Sequence, residues 1–223
     1  MTEQQRARTV LQILQRKLLV LKRIESHRNP FETLVTTILS QNTNDRNTAR
    51  AFEALSKRFE ITPECLAKAG LPEIEGAIRP AGLYRSKAQA IKQAAVTILE
   101  KYHGTLNPIL SLRLEDARKA LMQFPGVGPK TADVVLLFSA KHQTIPVDTH
   151  VNRVAKRLGF APPSGDYEVV RKNVEALFDP NDYLAVHVLL IAHGRKTCKA
   201  RHPLCNECSV NMYCPTRGRW DKP

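Results

Sequence analysis

Lys130, Asp148 and four cysteines carry the settings in this 223-residue chain that most invite chemistry. Lys130 follows Phe124-Pro125-Gly126-Val127-Gly128-Pro129, a run that cannot continue a helix. Two glycines favour positive-φ turns, and Pro129 suits the first position of a new helix. Lys130 is therefore expected in a helical first turn, where unpaired N–H groups and the positive dipole end gather. A glycine backbone open to close approach, beside such a terminus, holds a phosphate. The lysine itself has a bland alternative, a solvated side chain that merely touches that phosphate. Asp148 stands eighteen residues on and is placed to cap a helix over Thr149–Leu158.

The cysteines follow the pattern Cys198-x6-Cys205-x2-Cys208-x5-Cys214. Four thiolates so close in sequence suit one metal centre, either zinc or an iron-sulfur cluster. Structural zinc sites more often use two close pairs, whereas only Cys205 and Cys208 are so paired here, and the spacing fits a cluster better. Unlinked buried thiols are the third reading. Cys65 stands apart and reads as an inert core thiol.

Composition narrows the class of partner. Hydrophobic residues make up 43% of the chain and no apolar run nears membrane-spanning length, so a soluble globular protein away from membranes is expected. The net charge of +13 and pI of 9.8 favour a polyanionic partner through counterion release. The N-terminus has helical spacing with early Glu and Gln rather than a secretory apolar block, which implies a cytoplasmic location.

The elements that must position these residues read as a succession of helices. Val10, Leu14, Lys17, Leu18, Leu21 and Ile24 follow the 3.6-residue period of an amphipathic first helix. Asn29-Pro30-Phe31-Glu32 starts a second helix that runs to about Ser40, and Asn44 or Asp45 caps a third. Thr62-Pro63-Glu64 and Leu71-Pro72-Glu73 open two short helices. Pro80-Ala81-Gly82-Leu83 is a turn before a helix to about Tyr102, and Leu114–Gln123 leads into the glycine hairpin. Thr131–Ser139 is apolar almost all round and predicts a buried helix. Asp166 and Asn181 or Asp182 start the last two helices. No sustained period-2 alternation appears, so the fold class is all-α.

FPGVGPKTADVVL, IPVDTHVNRVAKRLGF and the HGRKTC-x6-C-x2-C-x5-C tail together resemble the endonuclease III family of helix-hairpin-helix DNA glycosylases. The likeness extends through ILSQNT and AGLYRSKA and so covers nearly the whole chain. It implies a six-helix barrel domain over 30–141, with the helix-hairpin-helix at about 114–140. It also implies a helical domain from 1–29 and 142–223, holding a [4Fe-4S] cluster in the loop 198–214 on Cys198, Cys205, Cys208 and Cys214.

The resemblance implies a monomeric base excision repair enzyme acting on double-stranded DNA that carries a damaged base or an abasic site. Such an enzyme removes oxidised pyrimidines such as thymine glycol and then nicks the strand. Lys130 is then the nucleophile and Asp148 the essential carboxylate. Attack on C1′ requires the neutral amine, and a helix N-terminus with partial burial works toward that form. Gln41 and Leu83 become wedges that fill the space left by a flipped nucleotide, although alone they read as an exposed turn residue and a core-facing leucine. Gly126, Val127 and Gly128 grip the backbone, Lys199 and Arg201 track phosphates, and His150 lines the base pocket or is a satisfied helix histidine.

Two departures bear on selectivity. Family members often carry Asp at the position of Asn44, whereas here the carboxylate is Asp45. Thr37 stands where related adenine-mismatch enzymes use a Glu, which argues against that branch. The alternatives are a G:T/G:U mismatch glycosylase of the same fold and a non-catalytic helix-hairpin-helix DNA-binding module.

Overall fold

The structure, a computed structural model, describes residues 1–18, 29–140 and 142–219. Leu21 and Ile24, expected on the first helix, lie outside these residues. Among the described residues the regular elements are helices, as the missing alternation predicted: α1 (Glu3–Leu18), α2 (Pro30–Ser40), α3 (Asp45–Arg58), α4 (Pro63–Lys68), α5 (Leu71–Ile78), α6 (Tyr84–Tyr102), α7 (Asn107–Leu110), α8 (Leu114–Leu121), α9 (Pro129–Ser139), α10 (Thr149–Arg157), α11 (Tyr167–Glu175) and α12 (Tyr183–Lys196). No helix among them is long and apolar enough to cross a membrane. The chain divides into two compact units, Ser26–His142 and the pair of segments Met1–Glu25 and Gln143–Pro223.

Side-chain caps set several helix starts, by satisfying amides that the helix cannot. Asn29 Oδ1 accepts from Phe31 N at 2.9 Å, Asn44 from Asn47 N at 2.9 Å, and Asp166 from Val169 N at 2.9 Å. Asp182 takes the N-cap position of α12, as expected of Asn181 or Asp182, although its side chain makes no cap hydrogen bond. Asp179 provides the side-chain cap just before it, accepting from Asn181 N at 2.9 Å to open a 3-10 turn, Pro180–Asp182, that runs into α12. The helix before the hairpin also ends two residues early, at Leu121. There Gln123 N reaches only Ala120 O, and the tightened turn leads into the hairpin.

In the Ser26–His142 unit, α6 packs on α4 and α5, and α9 packs on α2 and α8. Lys87, Ile91, Ala94 and Ile98 lie on the buried stripe of α6, and its alanines allow close neighbours. Leu34, Ile38, Leu55, Leu66, Ile74 and Ile91 have at most 1% of their surface exposed. Each such side chain is worth about 1.5–3 kcal/mol of burial, so this core carries the unit. Cys65 is half-buried rather than a core thiol.

Helix α9 is buried as expected, but with a charge inside it. Asp133 has no exposure, and Arg118 of α8 meets it with two parallel bonds, Nε to Oδ1 at 2.7 Å and Nη2 to Oδ2 at 3.2 Å. Arg118 also donates to Glu115 at 3.0 Å. This fork ties together the two helices that flank the glycine hairpin.

In the other unit, α1 buries Ala7, Val10, Leu11 and Leu14 and packs on α12, which packs in turn on α10. Arg6 fastens α1 to the end of α10 and to the cysteine loop, donating from Nη1 to Leu158 O at 2.6 Å and to Tyr213 O at 2.9 Å. Gly194 lets α12 approach α10. A Cβ there would meet Arg153 Nη2, His150 Cβ and Val154 Cγ2, each at 3.1 Å.

Replacing Arg118 by Met should leave Asp133 buried without its fork and cost about 3–5 kcal/mol. Chemical denaturation measures this, and adding Asp133→Leu should recover most of the loss.

Candidate active site

The hairpin is a turn with its ends buried and its tip exposed. Val127 N donates to Phe124 O at 3.1 Å across Pro125-Gly126, with Gly126 at φ +74. Pro followed by a positive-φ Gly is the signature of a type II turn. A Cβ on Gly126 would also come within 3.2 Å of Ala90 Cβ, so both conformation and space call for glycine. Gly128 differs from the expectation of two positive-φ glycines: at φ −97 and ψ −178 it is the extended residue that begins α9. Phe124 and Val127 are buried, whereas Pro125 and Gly126 are exposed. Val127 thus offers a partner only its carbonyl, since its side chain faces the core and its N–H closes the turn. The N–H groups of Gly126 and Gly128 have no acceptor among the described residues and suit an anion.

Lys130 is half-buried, second in α9 after Pro129. Its neighbour Thr131 is buried and joins a contact to the Gln41 loop. Gln41 Nε2 donates to Gly126 O at 2.8 Å and to Thr131 Oγ1 at 3.2 Å, so this side chain is docked on the hairpin rather than standing free in solvent. Leu83 is not core-facing: it is 61% exposed, with φ +47. A left-handed leucine costs about 1–2 kcal/mol, and an exposed one gains nothing from burial. Folding alone does not explain this residue.

Lys87 is a further buried charge beside the Gln41 loop. It is 3% exposed, and its Nζ donates to Gln41 O at 2.6 Å and to Leu39 O and Ala81 O at 2.9 Å each. Burial pulls its pKa below that of an ordinary lysine. Its place on the apolar stripe of α6, four residues before Ile91, is the sequence signal that marks it.

Asp148 belongs to the other unit and begins α10. Its Oδ1 accepts from His150 N at 2.9 Å and from Val151 N at 2.7 Å, as its capping reading expects. The buried segment 144–147 delivers it. Glu175 Oε1 accepts from Thr144 Oγ1 at 3.0 Å and from Ile145 N at 2.9 Å, and His187 Nδ1 donates to Pro146 O at 2.9 Å. Arg171, itself buried, donates to Glu175 Oε2 at 3.1 Å. His150 is half-buried and its Nδ1 accepts from Arg153 Nη2 at 3.1 Å, which puts the ring proton on Nε2.

The four cysteines line one cavity with Arg157, Leu158, His193 and Leu204. Its volume of about 30 Å³ exceeds what a single water needs. Among the described residues no three His, Cys, Asp or Glu stand close enough to hold one metal ion. Four thiols lining one cavity are a donor set of the kind that zinc or an iron-sulfur centre takes. Burial pushes the Cys208 thiol up, and the three neighbouring thiols add to this. Helix α10 organises the loop. Arg157 Nη1 donates to Lys199 O at 2.6 Å and its Nη2 to Ala200 O at 3.1 Å, while Arg153 Nε donates to Cys198 O at 3.1 Å. The side chains of Lys199 and Arg201 are exposed.

The family model described as "HhH-GPD superfamily base excision DNA repair protein" matches residues 35–180. The endonuclease III of Sulfolobus acidocaldarius is 42% identical over 84% of this chain and 82% of its own length. The endonuclease III of Escherichia coli is 34% identical over 86% and 87% respectively. Among solved structures, a trapped endonuclease III–DNA covalent intermediate superposes with a TM-score of 0.85 at 32% identity, covering 98% of both chains.

Asp148→Ala should cost about 1 kcal/mol through the lost cap, while Asp148→Asn, which keeps an accepting oxygen, should stay within about 0.5 kcal/mol of the parent. Thermal unfolding of the two variants separates the capping role from any catalytic one.

Proposed function

The chain belongs to the endonuclease III family within the HhH-GPD superfamily of base excision DNA repair proteins, and from that premise we propose that Lys130 is the nucleophile and Asp148 the essential carboxylate of a bifunctional DNA glycosylase and abasic-site lyase. One observation carries the assignment. Lys130 is held half-buried in the first turn of α9, directly after an exposed glycine turn whose amides are open to a phosphate.

The roles follow from that placement. The hairpin amides and the start of α9 anchor the strand backbone, and a damaged nucleotide swings out of the stack. Lys130 Nζ, as the neutral amine, bonds to C1′ while the C1′–N bond breaks and the base departs with the electron pair. Ring opening gives a protonated Schiff base between Lys130 and C1′. The imine acidifies the C2′ proton, its removal expels the 3′ phosphate by β-elimination, and hydrolysis releases Lys130. Asp148, fixed by the α10 amides, stabilises positive charge developing on the sugar or relays a proton. Oxidised pyrimidines such as thymine glycol are the lesion class this reading favours. Gln41 and Leu83 fill the vacated stack, Lys199 and Arg201 follow phosphates, and His150 borders the base pocket.

Cys198, Cys205, Cys208 and Cys214 would hold a [4Fe-4S] cluster. Such a cluster supplies a structural cross-link for a basic loop and takes no part in the hydrolytic or lyase steps. The barrel reading for 30–141 and the cluster-domain reading for 1–29 with 142–223 accompany this proposal.

Borohydride should trap a covalent adduct between the protein and thymine-glycol duplex. Lys130→Gln should abolish trapping but keep binding, and strong trapping by that variant would remove Lys130 from the role. Asp148→Asn should lower kcat by about 10²–10⁴-fold with duplex affinity retained. A parallel panel with dihydrouracil, uracil, thymine opposite guanine and a bare abasic site reads out the lesion class. Protein purified without oxygen should be yellow-brown with about four irons per chain, whereas stoichiometric zinc without iron would refute the cluster.

A further inference from the structure

Lys87 is a buried cation for which the chemistry above has no use. Its three N–H groups are all taken by backbone carbonyls of two separate loops. Leu39 and Gln41 lie at the end of α2. Ala81 ends the 3-10 turn Arg79–Ala81 and leads through Gly82, at φ +66, to Leu83. An ammonium that holds carbonyls from both loops sets their separation. An apolar residue would pack on the stripe of α6 more easily, but it would leave those carbonyls without this common donor.

Each loop presents one of the two residues read above as wedges. Leu83 projects into solvent in a left-handed conformation. Gln41 reaches Gly126 O and Thr131 Oγ1, so the same contact path runs from Lys87 through Gln41 to the residue beside Lys130. We propose that Lys87 is a positioning residue that holds the two loops at the spacing at which Gln41 and Leu83 enter the duplex together, in register with the hairpin that presents Lys130. This rests on the reading of Gln41 and Leu83 as the residues that fill the vacated stack. Lys87 touches neither DNA nor the reacting atoms; it acts through the two loops.

The test uses the full-length protein and a duplex with thymine glycol opposite 2-aminopurine, whose emission rises when the base loses its stacking. Lys87→Met keeps an unbranched stem one atom shorter than that of lysine and removes the donors. It should keep its helical circular dichroism, lose the emission rise, and lower kcat for base removal by about 10²-fold with KM changed only a few-fold. Strand cleavage at an abasic site in single-stranded DNA needs no wedge and should be unchanged. Wild-type emission and kcat in folded Lys87→Met would overturn the proposal. So would an equal loss on the single-stranded substrate, which would mean general damage. Should Lys87→Met fail to fold, Lys87→Gln decides. Its two amide donors reach at most two of the three carbonyls, so it should show a partial loss of emission, and wild-type behaviour would overturn the role. The double variant Gln41→Ala with Leu83→Ala tests the underlying reading separately. If it flips and cleaves like the parent, the wedge assignment fails whatever Lys87 does.

Discussion

A carboxylate with no solvent exposure sits inside an otherwise apolar helix, and an arginine fork from the preceding helix holds it there. Burying one charge alone costs several kcal/mol, so neither Asp133 nor Arg118 is tolerable without the other. Their pairing therefore fixes how α8 and α9 lie against each other. The hairpin between the two helices inherits that geometry, and so does the first turn of α9, where Lys130 sits. Every buried polar side-chain atom among the described residues has a hydrogen-bond partner, so the polar interior is specified throughout.

The same device recurs around each functional element. Lys87 gathers three carbonyls from two loops, and Arg157 gathers two from the cysteine loop. Glu175 and His187 pin the extended segment that delivers Asp148. In each case a long or planar polar side chain satisfies backbone groups that no helix can. Irregular backbone can present its amides and carbonyls outward, where a partner can reach them. Irregular backbone is also where the chain would otherwise wander. Buried cations and carboxylates resolve that conflict by fixing the loops from beneath.

Local signals were legible wherever a few adjacent residues decide the outcome. Asn29, Asn44, Asp148 and Asp166 cap the helices that the sequence assigned to them, because a capping oxygen needs only amides two or three residues away. The turn at Pro125-Gly126 is equally local. Gly128 and Leu83 were less legible. An extended Gly128 depends on how α9 begins, and an exposed Leu83 depends on the loop being held out from the core. Asp182 takes the N-cap position of α12 as expected, but the side-chain cap comes from Asp179, because a 3-10 turn precedes the helix.

By itself the sequence determined an all-helical chain, a glycine hairpin with a lysine just after it, a carboxylate at a helix start and a four-cysteine loop. Those features depend on residue type and short spacing, which a linear reading measures directly. Only the tertiary structure decided that Asp133 pairs with Arg118, that Lys87 unites two loops, and that Gln41 docks on Gly126. Those partners are separated by 15, 46 and 85 residues, and no periodicity links a buried donor to an acceptor that far along the chain. The physical reason is burial itself. A charged side chain reads as surface in a sequence, and it becomes an organising element only once packing removes the water and leaves specific acceptors in reach.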